Sequence, residues 1–130
     1  MGQKKPNTLE SKLLTDYTLT GSYANIGPSI TIIEAGWYDI YSYVTYQYAT
    51  SNNSSVANFK LAVNSTTQGN YFESQITSGV MNTLTLRWTI VQIDTLFLAK
   101  NDILTIQGSD SPQHAVCVNT STRIKAIRRG

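Results

Sequence analysis

Ionisable side chains are scarce: charged residues make up 14% of the 130-residue chain, against the ~25% usual for a globular domain. A formal net charge of +2 is too small to select a partner. Basic residues gather near the ends, as Lys4-Lys5 and as Arg123, Lys125, Arg128 and Arg129, whereas the aromatic-rich segment Gly36 to Thr50 holds no Lys or Arg. Single-stranded nucleic acids are gripped where cations and aromatics interleave on one surface, so nucleic acid is not an expected partner. One cysteine, Cys117, rules out an intrachain disulfide and leaves the redox compartment open.

Histidine is equally sparse. His114 stands alone, and a Ser-His-carboxylate triad or a zinc site needs partners that the sequence does not place beside it. The spacing of His114 and Cys117 is half a metal site, so His114 reads as structural. Cys117, inside the apolar "HAVCV", reads as a small buried hydrophobe. Glu10, Glu34, Glu73 and the five aspartates are scattered, unlike the paired carboxylates of a glycosidase, and neither a Gly-rich phosphate loop nor GxSxG occurs. The expectation is a non-enzyme without cofactor or metal; a small hydrolase assembled by the fold is the minor alternative.

No apolar run approaches the ~18–20 residues of a membrane helix, and "MGQKKPNTLESK" lacks the apolar core of a signal peptide. Pro6 also occupies the position where a myristoylation pattern wants Ser or Thr. Membrane insertion is therefore not expected.

What the chain does have is Ser, Thr and Asn in place of charge, together with β-branched and aromatic residues that alternate with polar ones from Tyr17 onward. Turn signals recur every ~8–12 residues, at Gly27-Pro28, Ala35-Gly36, "TSNNSS", Gln68-Gly69-Asn70, Ser78-Gly79, Lys100-Asn101-Asp102 and "SDSPQ". Many short strands without a long helical pattern give an all-β antiparallel sandwich or barrel. A helical hint in "LESKLL" aside, residues 1–14 read as an N-terminal arm or linker and 15–130 as one head domain. Asp102 is expected to support its turn, and the Asn-x-Ser/Thr triplets at Asn52, Asn53, Asn64 and Asn119 read as unmodified loops. Trp88, in mid-strand, reads as core or assembly seam in preference to a carbohydrate platform.

Six aromatics crowd into "WYDIYSYVTYQY". Side chains on a strand point to opposite faces at period two. Even positions carry Tyr38, Ile40, Ser42, Val44, Tyr46 and Tyr48, and this face reads as the core side. Odd positions carry Trp37, Asp39, Tyr41, Tyr43, Thr45 and Gln47, a face too aromatic for open water and too polar for a dry core. A strand with two adhesive faces calls for a second covering surface.

At this point the chain resembles the jelly-roll heads of the tumour necrosis factor and complement-q globular-domain superfamily, with their counterparts in phage fibre and capsid-accessory proteins. Gly36-Trp37-Tyr38-Asp39-Ile40 is similar to the family's Gly-x-Tyr-x-Phe strand, with Ile at the aromatic position. Leu96-Phe97-Leu98 through Asn101-Asp102-Ile103-Leu104-Thr105-Ile106 is similar to its Leu-x-Leu-x-x-Gly-Asp-x-Val-x-Val element, with Asn101 replacing Gly. Asn is the common non-Gly residue at positive φ, and the last strand opens on Ser121-Thr122 as the family's does.

The resemblance implies an antiparallel jelly-roll β-sandwich with Tyr38, Ile40, Val44, Leu96, Leu98, Ile106 and Ile124 in its core. It also implies a homotrimer whose seam holds Tyr41 and Tyr43, with Asp39 and Ile127 on the same face. On the terminal strand Arg123, Lys125 and Arg129 share that face, so copies would bring like charges together unless acids such as Asp39 pair with them or the strand lies at the rim. The function expected is a phage structural protein: a head-decoration or fibre knob, made in the host cytoplasm and placed on the virion. It would contact other virion proteins through residues 1–14, with adhesion to a host-surface glycan or protein as an extension of that role. The alternative is a dedicated receptor- or glycan-binding module using loops around Asn52, Asn53, Asn70 and Tyr71.

Overall fold

Alternation at period two governs the architecture. In the computed structural model, which describes residues 8–47, 55–76, 87–111 and 115–129 (55, 56, 67–76 and 111 as backbone only), every described regular element is a strand. In chain order they are β1 (Thr8–Lys12), β2 (Tyr17–Thr18), β3 (Ala24–Thr31), β4 (Gly36–Gln47), β5 (Ser55–Val63), β6 (Thr66–Ile76), β7 (Arg87–Leu98), β8 (Ile103–Ser111), β9 (Val116–Cys117) and β10 (Arg123–Arg128). All pairings are antiparallel. They form two sheets that face each other as a jelly-roll sandwich: one ordered β3-β8-β5-β6, the other built around β4.

β4 organises its sheet. One edge pairs with β7 over its whole length, from Gly36↔Leu98 to Gln47↔Arg87. The opposite edge is shared between β10, along Tyr38–Tyr43, and β9, at Tyr46 and Gln47. Between those two partners the backbone of Thr45 would be stranded. Thr122 fills the gap: its hydroxyl accepts from Thr45 N at 3.1 Å and donates to Thr45 O at 3.2 Å, while Val118 N also donates to Thr45 O at 2.7 Å.

The core lies between the sheets. Tyr38, Ile40, Val44 and Tyr46 of β4 meet Ile26 and Ile30 of β3, Phe59 and Leu61 of β5, and Leu104 and Ile106 of β8. Tyr46 contacts Phe59 at 5.8 Å between centroids and stacks on Trp88 at 5.9 Å, so Trp88 lies partly buried against the core. A side chain this size contributes roughly 1.5–3 kcal/mol when withdrawn from water. Gly108 makes room for the ring of Phe59: a Cβ there would stand 2.8 Å from Phe59 Cδ1.

Three expectations are corrected. The segment 9–14 is no helix. Thr8–Lys12 forms β1, paired with β10 from Thr8↔Ile127 to Lys12↔Arg123, because Leu9, Ser11 and Leu13 alternate inward and Leu13 reaches the core. Strand structure therefore begins inside the segment expected to be an arm. Gly27-Pro28 is not a turn but an irregularity within β3, where the register with β8 shifts between Asn25 and Ser29. Pro28 is tolerated because β3 is an edge strand. Gly27, at φ 144°, leaves a place where any Cβ would lie 2.5 Å from Leu13 Cδ1.

Gln68-Gly69-Asn70, finally, belongs to β6. The chain reverses at Asn64-Ser65, with φ of 52° and 68°, the positive pair a two-residue hairpin requires. Lys60 pairs with Tyr71 and Ala62 with Thr67, so those three residues bulge opposite Leu61. The turn at Lys100-Asn101-Asp102 is as expected. Asn101 has φ 75°, Asp102 accepts from Ala99 N at 2.8 Å, and Asn64 Nδ2 donates to Asp102 at 2.9 Å.

Candidate functional site

The outer face of the β4 sheet is where the structure departs from an ordinary solvated surface. Reading across β1, β10, β4 and β7, the register sets Thr8, Ile127, Asp39 and Thr95 in one row. Glu10, Lys125, Tyr41 and Ile93 form the next, then Lys12, Arg123, Tyr43 and Val91. Trp37 and Phe97 close one end, edge to face at 5.7 Å and 74°. Tyr41 and Tyr43 stack at 6.4 Å and 10°.

Trp37 (53% exposed), Phe97 (59%), Ile93 (58%) and Val91 (48%) leave large apolar surface in contact with water. Single exposed hydrophobes are normal; two exposed groups on adjacent strands, Trp37–Phe97 and Ile93–Val91 on either side of the Asp39–Thr95 row, are the kind of surface that interaction sites present. Strand spacings of ~4.8 Å and rises of ~3.3 Å per residue make the four-strand face on the order of 600 Å². That is comparable with the ~800 Å² one partner contributes to a standard interface.

Both carboxylates on this face are paired with a cation of the same chain. Arg129 Nε lies 3.5 Å from Asp39 Oδ2, and Asp39 also accepts from Thr95 Oγ1 at 2.8 Å. Arg123 lies 4.3 Å above the Tyr43 ring and 3.5 Å from Glu10 Oε2, an ion-pair separation rather than a hydrogen bond. Such half-exposed pairs contribute ~0–1 kcal/mol each; their effect is to keep acid and base flat against the sheet. Arg87 Nε donates to Gln47 Oε1 at 2.9 Å at the far end.

Tyr41, Tyr43, Asp39 and Ile127 all lie on this outer face, half-buried, and β4 and β10 bring them together. Tyr38, Ile40, Val44, Ile106 and Ile124 are fully buried and Leu98 nearly so; Leu96 is only partly covered, on the β7 edge strand. Of the expected ligand-loop residues, Asn52 and Asn53 lie outside the described residues, as does His114. Asn70 and Tyr71 belong to strand β6 and not to a loop.

Sequence reasoning missed the contribution of β7. In "RWTIVQIDTLFL" the outward positions Val91, Ile93 and Phe97 are more apolar than the inward Gln92 and Asp94. The inward face also holds Trp88, Ile90, Leu96 and Leu98, so both faces of β7 carry apolar side chains, and the outward group joins the β4 face only through the strand pairing. Burial holds the Asp94 carboxyl above its ordinary value, with a hydrogen bond from Gln92 acting against it.

Cys117 is fully buried, and desolvation, with Asp110 and Asp16 adding to it, pushes its thiol up to about 12. Among the described residues no three His, Cys, Asp or Glu side chains gather as metal ligands. Asp110, buried, accepts from Ala115 N at 2.8 Å.

No protein-family model matches the chain, and no curated protein sequence does. Solved structures do. Eiger TNF from S. frugiperda aligns with a TM-score of 0.64 over 98% of this chain and 94% of its own, at 8% identity. Murine APRIL at pH 5.0 aligns with a TM-score of 0.56 over 95% of this chain and 99% of its own, at 12% identity. The fold is a TNF-like jelly roll. At such identities the likeness extends to the path of the chain and not to the side chains, so the exposed face of this TNF-like domain has to be read from its own residues.

Proposed function

We propose that the protein is a non-enzymatic, self-associating TNF-like head that forms a homotrimer through the outer face of the β4 sheet. The observation that carries this is the run of exposed Trp37, Val91, Ile93 and Phe97 beside Tyr41 and Tyr43 on a face of interface size. Aromatics suit such a seam because they offer large contact area at low rotamer cost. Asp39 and Glu10 already neutralise Arg129 and Arg123, which answers part of the like-charge objection.

The role follows from the assembly: a structural or adhesive knob whose weak contacts gain strength from many copies. Placement on a virion, with attachment to other virion proteins through the N-terminal segment, is supported by the low charge and hydroxyl-rich composition. The start of β1 and the end of β10 also lie at the same end of the sandwich (Thr8↔Ile127), opposite to where β1 meets Arg123. Sedimentation velocity at micromolar concentration tests the proposal. A species of three times 14.4 kDa is expected, and a monomer at every concentration would remove it.

A further inference from the structure

The charge of the molecule is concentrated on the face proposed to be shared. Its outward side chains include the cations Lys12, Arg87, Arg123, Lys125 and Arg129, against the carboxylates Glu10 and Asp39. That excess of three positive charges on one face exceeds the +2 of the whole chain. Copies meeting there are pulled together by apolar contact and pushed apart by like charge. Lys125 is the centre of the problem. It lies between Glu10 and Tyr41 in the middle row, and Glu10 is the partner of Arg123, so among the described residues Lys125 has no carboxylate of its own.

Three further donors lie around it. Arg123 Nε makes no hydrogen bond although it lies 3.5 Å from Glu10 Oε2, and the hydroxyls of Tyr41 and Tyr43 bond no described group of the chain. Ammonium, guanidinium and two phenols from adjacent strands outnumber the one carboxylate among them, Glu10, and the donors left over are the complement of a tetrahedral oxyanion. Burying an unpaired Lys against neighbouring copies is unfavourable unless a counter-charge enters with it.

We propose that the face takes up a multivalent oxyanion of the phosphate or sulfate type at Lys125, Arg123, Tyr41 and Tyr43, and that the anion is built into the contact between copies. This rests on the self-association reading and goes beyond it by naming a ligand. Assembly then increases with phosphate concentration, whereas an interface held by salt bridges would weaken with added salt.

The test is sedimentation velocity and thermal melting in chloride and in inorganic phosphate at one fixed ionic strength. Phosphate is expected to raise the association constant saturably, by about tenfold or more, with a concentration-linked rise in Tm. Lys125→Met should assemble in chloride alone and lose the phosphate response; Lys125→Arg should keep it. An oligomer indifferent to phosphate, a response that follows ionic strength alone, or an unchanged response in Lys125→Met overturns the anion and leaves self-association standing. A chain that stays monomeric in every buffer overturns both.

Discussion

At the scale of single residues, the clearest dependence is on Thr122. Its hydroxyl serves both backbone groups of Thr45 at the junction where β10 gives way to β9, and both residues are buried. Thr122→Val keeps the shape and removes the donor and acceptor, leaving a buried N–H unpaired at a cost of ~1–3 kcal/mol. Thr122→Ser should restore most of it. Chemical denaturation of the two variants checks this, and equal midpoints would show that water replaces the hydroxyl.

Asp94 has the opposite sense. Burial raises its folded carboxyl above the unfolded value, so the folded state binds the proton more tightly. The contribution of Asp94 to stability is greatest at acid pH and is lost as pH rises through its folded value. Asp94→Asn is accordingly expected to be more stable than the parent at neutral pH, with the gap closing on acidification. A gap that widens towards low pH would place the carboxylate in a favourable pair.

At the scale of elements, β4 divides into two faces whose substitutions should behave differently. Tyr41→Asp combined with Tyr43→Asp acts on the outer face, so a β-rich circular dichroism spectrum should persist while the sedimenting species shifts to monomer or to aggregate. Ile40→Asp acts on the inner face, puts an unpaired carboxylate among Tyr38, Val44 and Ile124, and should abolish folding. A native-like trimer from the double variant would show that the tyrosines are not in the seam.

The division of β4 was legible because its even positions read Tyr-Ile-Ser-Val-Tyr, and the Asn101 turn was legible because Asn tolerates positive φ. The outward apolar group of β7 was not, since Val91, Ile93 and Phe97 face out while Gln92 and Asp94 interrupt the inward series Trp88, Ile90, Leu96 and Leu98. Edge strands hide this way: half of each side chain escapes the core, so burial no longer sorts polarity. β1 was unreadable for a related reason. Five residues at an edge carry too short a pattern to outweigh the helical propensity of "LESK". Gly27-Pro28 misled because turn chemistry and a strand irregularity draw on the same residues.

At the scale of the whole molecule, chain path and assembly are linked. β1 and β10 are neighbours, Thr8 pairs with Ile127, and Arg129 N donates to Trp37 O at 2.7 Å, so the first described residues and the last emerge together beside the Trp37–Phe97 pair. A device that gathers the amino-terminal segments of three copies therefore brings their aromatic ends into proximity without crossing the sandwich. Fusing a parallel three-stranded coiled coil ahead of the chain through a short flexible linker should raise the effective concentration of heads into the millimolar range. The expected outcome is a Tm for the head that rises above that of the unfused chain and no longer depends on protein concentration. Adding Phe97→Asp to the fusion should return Tm to that of the isolated Phe97→Asp head, because linkage stabilises only through a contact that forms. A fusion that melts like the free head at every concentration would mean that the apolar face meets something other than its own copies.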